Sequence, residues 1–222
     1  MTYLNQLADL ETQLESMLPA DKLAAFRKDA AAMANAYKAP LNLNKGDLAP
    51  DFTLPNADGT PVNLTDLLKN GPVVMVFYRG IWCPYCNLAL KTYQQALSAI
   101  KENGANLVAI SPMTPDNSLD IKQTNELDFY VLSDKGNTVA KQFTSIVKNP
   151  TASLQAMTDL GYDFFSFYDD GSTELPIPAA FVIDTDGTVI FAQSEGGDYR
   201  QRTDSDDILQ ALANIQLVKE RA

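Results

Sequence analysis

The sequence contains no histidine. That absence excludes Ser-His-Asp and Cys-His catalysis, histidine-ligated zinc and any imidazole pH switch. Basic residues are scarce as well: 17 Lys and Arg stand against 28 Asp and Glu, a formal charge of −11. With a sequence pI near 4.4, the chain has no basic excess to offer phosphates, so neither nucleic acid nor an anionic membrane surface is expected as a partner. No apolar run approaches the ~18 residues of a membrane span; the longest, Val73 to Tyr78, is strand-sized. The start, Met1-Thr2-Tyr3-Leu4-Asn5 followed by Asp9, Glu11 and Glu15, lacks the basic and apolar blocks of a signal peptide, and a cytoplasmic protein is expected. Cysteine is limited to Cys83 and Cys86. In a reducing compartment one Cys-x-x-Cys reads as redox or metal chemistry rather than a structural staple.

What the chain does contain is an ordinary globular composition, 45% hydrophobic and 20% charged over 222 residues, enough for one elaborated domain. Leu4, Leu7, Leu14, Met17 and Leu18 form a helical stripe that Pro19 ends. A second stripe, starting at Asp21 as N-cap, carries Leu23, Phe26, Ala30, Met33 and Tyr37 up to Pro40. Together they predict a helical hairpin over 1–45, which either packs on its own domain or makes the subunit contact of a homodimer. From residue 46 onward the texture is α/β. A small hairpin is expected over 51–64, a central parallel strand at 73–78, a helix from the cysteines to about Asn103 and a second core strand at 106–111, making a right-handed βαβ unit. A short helix at 116–125, a strand at 129–132 and a helix at 136–143 follow. Residues 144–176 read as an aromatic, irregular insertion with one helix around 152–160. A strand pair turning at Asp186-Gly187 and a last helix capped by Asp204 complete the pattern.

The chemistry concentrates in Tyr78-Arg79-Gly80-Ile81-Trp82-Cys83-Pro84-Tyr85-Cys86. A reactive cysteine is a thiolate, and it needs positive potential. Cys83 falls at the first turn of a helix, where free N–H groups and the macrodipole favour an anion, and Pro84 suits the first helical position. Cys86 follows three residues on and more shielded. The expectation is that Cys83, with a pKa below the usual value of about 8.5, attacks and Cys86 resolves it, closing a Cys83–Cys86 disulfide. Arg79 adds charge nearby and Trp82 walls the site. Two inert buried cysteines are the bland alternative. A closed zinc site would want four ligands, which two cysteines without histidine do not supply, so no metal and no cofactor is expected.

Gly46-Asp47-Leu48-Ala49-Pro50-Asp51-Phe52-Thr53-Leu54, then Val76 to Cys86, Val108-Ala109-Ile110-Ser111-Pro112, Val131-Leu132-Ser133-Asp134 and Phe181 to Gly187 together resemble the alkyl hydroperoxide reductase and thiol-specific antioxidant family, in its divergent peroxiredoxin-like branch. The resemblance covers residues 46–215 and implies a thioredoxin-like α/β/α sandwich, with the N-terminal hairpin as an extension. It implies a thiol-dependent peroxidase that reduces hydrogen peroxide or organic hydroperoxides through a cysteine sulfenic acid, with a thiol reductant of thioredoxin or glutaredoxin type as partner. The chain departs from the family pattern twice. Gly80 stands three residues before Cys83, where the family has Thr or Ser, and Leu175-Pro176-Ile177-Pro178 stands where it has an arginine. The latter slot resembles the cis-proline of thioredoxins, so a cis Ile177–Pro178 bond facing Cys83 is expected, and Arg79, Arg200 and Arg202 are candidates to replace the missing arginine. A thiol-disulfide oxidoreductase and a non-catalytic redox sensor remain as alternative readings.

Overall fold

The computed structural model describes residues 3–219. Its centre is a five-stranded sheet. Val73–Phe77 (β3), Asn106–Ser111 (β4) and Tyr130–Ser133 (β5) run parallel, Ala179–Ile183 (β8) pairs antiparallel with β3, and Val189–Gln193 (β9) pairs antiparallel with β8, giving the order β5-β4-β3-β8-β9. All five residues of β3 are buried, as a central strand covered on both faces requires. Its side chains still alternate. Val74 and Val76 enter the apolar cluster on one face, and Val73, Met75 and Phe77 the cluster on the other.

Helices cover both faces. Pro84–Glu102 (α4) and Ser205–Lys219 (α8) pack on the Val74 and Val76 side, and Leu64–Leu68 (α3) with Ala140–Phe143 (α6) on the other. The antiparallel pair Thr53–Pro55 (β1) and Pro61–Asn63 (β2) leads into α3, where the Asn63 side chain accepts from the Asp66 N–H. This is the α/β sandwich that the motifs imply. Pro115–Thr124 (α5) is capped by Thr114.

The N-terminal helices, Tyr3–Met17 (α1) and Ala20–Ala36 (α2), pack on the same chain. Tyr3, Leu7, Ala30 and Met33 belong to the α4 core cluster. Hydrogen bonds fasten them, among them the hydroxyls of Tyr3 to the Arg200 carbonyl (2.6 Å), Tyr85 to Glu11 (2.7 Å), Tyr199 to the Phe26 carbonyl (2.8 Å) and Ser153 to Asp29 (3.0 Å), the Tyr3 N–H to Asp204 Oδ2 (3.2 Å), and Lys22 to Asp159. Pro19, not Asp21, occupies the N-cap of α2. Asp21 lies in the first turn, where a carboxylate favours the helix dipole without capping.

Three local expectations are corrected. The helix expected over 136–143 is broken, because Gly136 and Asn137 adopt φ of +69° and +56°; a 3₁₀ turn at Lys135–Asn137 precedes α6. The region 144–176 does hold a helix, Thr151–Asp159 (α7), but also an antiparallel ribbon of Ile146–Lys148 (β6) with Glu174–Pro176 (β7). That ribbon bears on the third correction. The Ile177 N–H donates to the Ser145 carbonyl at 2.9 Å and the Ile177 carbonyl accepts from Thr144 Oγ1 at 3.1 Å, continuing the β-type pairing straight into β8. The Ile177–Pro178 bond is trans, and no cis peptide bond occurs among the described residues. No helix among them is long and apolar enough to cross a membrane.

Candidate active site

The β3–α4 junction positions both thiols. Cys83 is the N-cap of α4, with extended backbone (φ −89°, ψ 111°), and Pro84 takes the first helical position. The Cys83 carbonyl accepts the N–H groups of Cys86 and Asn87 at 3.0 and 3.1 Å, and the Asn87 side chain bonds the carbonyls of Ile81 and Cys83. The loop is thereby fixed from both ends. Both cysteines are reduced and buried.

The charge distribution between them reverses the expectation. Arg202, which begins the approach to α8, places Nη2 3.1 Å from Cys86 Sγ, and the Arg79 backbone N–H lies 3.4 Å from the same sulfur. Burial opposes a charge on Cys86. The Cys83 thiol, the Arg202 guanidinium and the backbone N–H groups of Arg79 and Gly80 outweigh it and hold Cys86 well below the ordinary thiol range. Cys83 is pushed well above that range, first by burial and then by its hydrogen bond to Cys86, with Arg79 and Arg202 opposing. Cys83 is therefore not the more acidic thiol. A helix terminus supplies partial charges, whereas Arg202 supplies a whole buried one at contact distance.

Of the three arginine candidates, two reach the site. Arg79 is buried with its guanidinium between two rings, 4.0 Å from the Tyr199 centroid and 4.9 Å from that of Trp82. Its Nη2 donates to Asn149 Oδ1 at 3.1 Å, while its Nε–H, like that of Arg202, is buried without a hydrogen-bond partner among the described residues. Arg200 is instead committed to Asp198 in a bidentate pair. Trp82 does wall the site: its indole N–H donates to the Tyr168 hydroxyl at 2.7 Å, which donates to the Arg79 carbonyl at 2.9 Å. Gly80 is required by that arrangement. A Cβ there would stand 2.7 Å from Trp82 Nε1 and 2.9 Å from the Tyr168 hydroxyl. Pro178 contributes no cis bond; its carbonyl accepts from Ser194 Oγ.

Cys83, Arg79 and Trp82 border a cavity of about 470 Å³. Its other walls come mainly from α1, α2 and the 144–176 region, with Tyr199 from the stretch between β9 and α8; Asp29, Asn149 and Tyr199 are three lining residues that the sequence motifs do not single out. Asp29 is detectable in retrospect. Phe26, Asp29, Ala30 and Met33 stand at i, i+3, i+4 and i+7, one face of a helix, so a carboxylate occupies an otherwise apolar, core-facing stripe. Burial raises its pKa, against the Ser153 hydrogen bond and Arg79. Among the described residues no cluster of three or more Cys, Asp or Glu is arranged to hold a metal ion.

Comparison with known proteins places this geometry. Over 101 residues the chain is 33% identical to peroxiredoxin Bcp of Escherichia coli K12, covering 46% of this chain and 64% of that protein, and 34% identical to a chloroplastic peroxiredoxin Q of japonica rice, covering 46% of each. The crystal structure of peroxidoxin BcpB from Mycobacterium tuberculosis superposes with a TM-score of 0.61 and 28% identity, over 78% of this chain and 98% of that one. A Plasmodium vivax 2-Cys peroxiredoxin in its reduced state shares the fold, with a TM-score of 0.60 at 20% identity. The AhpC/TSA family profile matches residues 45–192, a span that runs from just before β1 through β9 and contains both cysteines. The chain belongs to the AhpC/TSA family.

Proposed function

We propose that the protein is a thiol peroxidase in which Cys86 is the attacking thiolate and Cys83 the resolving thiol. The observation that carries this is the Arg202 guanidinium 3.1 Å from Cys86 Sγ in a buried setting. The Cys86 thiolate attacks one oxygen of the hydroperoxide, the O–O bond breaks, and the departing alkoxide takes a proton; Cys86 becomes a sulfenic acid. Cys83, at the N-cap of α4 and three residues before Cys86, displaces the sulfenic oxygen as water and forms the Cys83–Cys86 disulfide. Two thiols and a hydroperoxide thus give a disulfide, an alcohol and water. An external thiol reductant, of thioredoxin or glutaredoxin type, reopens the disulfide. The unpartnered Nε–H groups of Arg79 and Arg202 are donors available to charge developing on oxygen.

A second reading keeps Cys83 as the attacker. It is favoured by the cavity, which Cys83 borders. Single variants separate the two. With Cys86 attacking, Cys83→Ser consumes one equivalent of hydroperoxide per chain and accumulates sulfenic acid detectable by mass, and Cys86→Ser consumes none above the free-thiol rate. The opposite pattern assigns attack to Cys83. Efficient disulfide exchange with peroxide reaction no faster than a free thiol would replace the peroxidase reading by an oxidoreductase, a reading from which the trans Ile177–Pro178 bond removes one support.

A further inference from the structure

We infer that Tyr3 is a positioning residue for the Cys86 thiolate: from α1 it clamps the irregular segment 194–204 and so holds the Arg202 guanidinium against the sulfur. The inference rests on the reading of Cys86 as the attacking thiolate. Cys86 stands on a helix packed against the central sheet, but Arg202 belongs to the stretch between β9 and α8, which has neither helix nor strand. The contact of 3.1 Å between Nη2 and Sγ is a charge-assisted hydrogen bond, and such a bond weakens steeply as the donor withdraws. The acidity of Cys86 is therefore only as constant as the hold on that stretch.

The bonds that Arg202 makes to its own stretch do not anchor it. Its Nη1 donates to the carbonyls of Tyr199 and Gln201, which move with the same segment. The anchors come from other elements. Tyr3 brackets Arg202, its hydroxyl donating to the Arg200 carbonyl at 2.6 Å and its backbone N–H to Asp204 Oδ2 at 3.2 Å. From α4, the Tyr93 hydroxyl donates to the Thr203 carbonyl at 2.8 Å. The upstream end is held on α2, where the Gly197 N–H donates to the Tyr37 carbonyl at 2.7 Å and the Tyr199 hydroxyl to the Phe26 carbonyl at 2.8 Å. The approach there is so close that a Cβ on Gly197 would lie 2.1 Å from the Met33 carbonyl oxygen, a contact that only glycine permits. Burial pushes the Tyr3 phenol up, so its hydroxyl remains a donor throughout the range in which a thiol titrates. The other phenols whose charge would bear on Cys86, Tyr78, Tyr93 and Tyr168, are raised by burial as well. The family profile matches residues 45–192 and so contains neither Tyr3 nor Arg202. Guanidinium and clamp are both built from parts of the chain outside that common framework.

The experiment uses the full chain carrying Cys83→Ser, in which Cys86 is the single thiol. Its alkylation by iodoacetamide is followed against pH, the midpoint marking ionisation of the thiol, in that protein and with Tyr3→Phe, Arg202→Met or both added. Tyr3→Phe removes only the hydroxyl and its bond to the Arg200 carbonyl. It is expected to move the midpoint to higher pH, by less than Arg202→Met does. In the presence of Arg202→Met it should move the midpoint no further, because the hydroxyl acts through the guanidinium. Oxidation of Cys86 by hydrogen peroxide should slow in Tyr3→Phe below the midpoint and return to the parent rate above it, where the thiolate is fully formed. Loss of a merely structural bond would lower the melting temperature and leave the midpoint in place. Should Tyr3→Phe not fold, Gly197→Ala, which drives the same segment off α2, is expected to shift the midpoint in the same direction, and no shift there counts against the inference equally. A midpoint unmoved by Tyr3→Phe while Arg202→Met raises it, or a shift of equal size with and without Arg202, overturns the inference and leaves Cys86 as the attacker. A midpoint that Arg202→Met itself leaves in place overturns the Cys86 reading and the inference together.

Discussion

The two faces of the central sheet use buried polar groups differently. On the face of α3 and α6, Phe143 sits 5.5 Å from Phe77 and 5.3 Å from Phe181, ring centroid to centroid. The buried carboxylate on that side, Asp134, is fully engaged: it accepts from Thr138 Oγ1 and from the N–H groups of Val139 and Ala140 at the start of α6. On the face of α4, two buried arginines retain unpartnered N–H groups, two thiols share one another and a guanidinium, and a cavity reaches them. Burying a polar group without a partner costs about 1–3 kcal/mol. One face is built for stability, and the other accepts that cost where chemistry takes place.

The largest effect expected from breaking this contrast is on the stable face. Phe143→Ala removes a fully buried ring and should lower unfolding free energy by about 3–5 kcal/mol. Thermal or denaturant melts measure that loss. Because Phe143 packs opposite the cysteines, the alkylation profile of the two thiols against pH should stay where it is in the native protein; a shifted profile would show that the faces are coupled through the sheet.

Gly80→Ala tests the other face with a single methyl. The added carbon meets the Trp82 indole nitrogen and the Tyr168 hydroxyl, so one of the two must move and their hydrogen bond is strained or lost, for about 1–3 kcal/mol of stability. Unlike Phe143→Ala, this variant should alter site and stability together, read as a change in Trp82 emission alongside the lowered melting temperature.

The sequence is informative to the extent that its signals are local. The apolar run from Val73, the turn chemistry at Asp186-Gly187 and the Cys-x-x-Cys at a strand-helix junction each depend on residues within a few positions, and each appears in the structure as read. The β6–β7 ribbon pairs Ile146 with Pro176, 30 residues apart in sequence, and a three-residue strand ending in proline carries almost no periodic signal. The ionisation of the cysteines was least legible of all. It depends on Arg202, 116 residues from Cys86, and helix-terminus logic applied to Cys83 alone takes no account of that guanidinium. Asp29 meets Ser153 across 124 residues; only its place on an apolar stripe betrays it.

Arg202→Met should show which sulfur carries the charge. Removing the guanidinium leaves Cys86 its backbone donors and the Cys83 thiol but deletes the full positive charge, so its pKa should rise. Alkylation of Cys86 should slow at pH values below the raised pKa, where less thiolate is present. If Cys83 alone slows, the charge resides there and the assignment is reversed.

The smallest expected effect is on stability against pH, because the two thiols act in opposite directions. Cys86 is depressed in the native state. Its thiolate therefore stabilises the fold fully above the unfolded thiol pKa of about 8.5, and that contribution is lost as pH falls through the lower native value. Cys83 is raised. Above about 8.5 the unfolded chain ionises it while the native state does not, so stability falls as pH rises further. The difference in unfolding free energy between the native protein and a Cys83→Ser, Cys86→Ser double variant cancels the carboxylates common to both. It should climb with pH on the acid side of about 8.5 and decline beyond it. A difference curve with no rising limb on the acid side would mean that neither thiol is depressed, and would remove the electrostatic contrast between the two faces on which the Cys86 assignment rests.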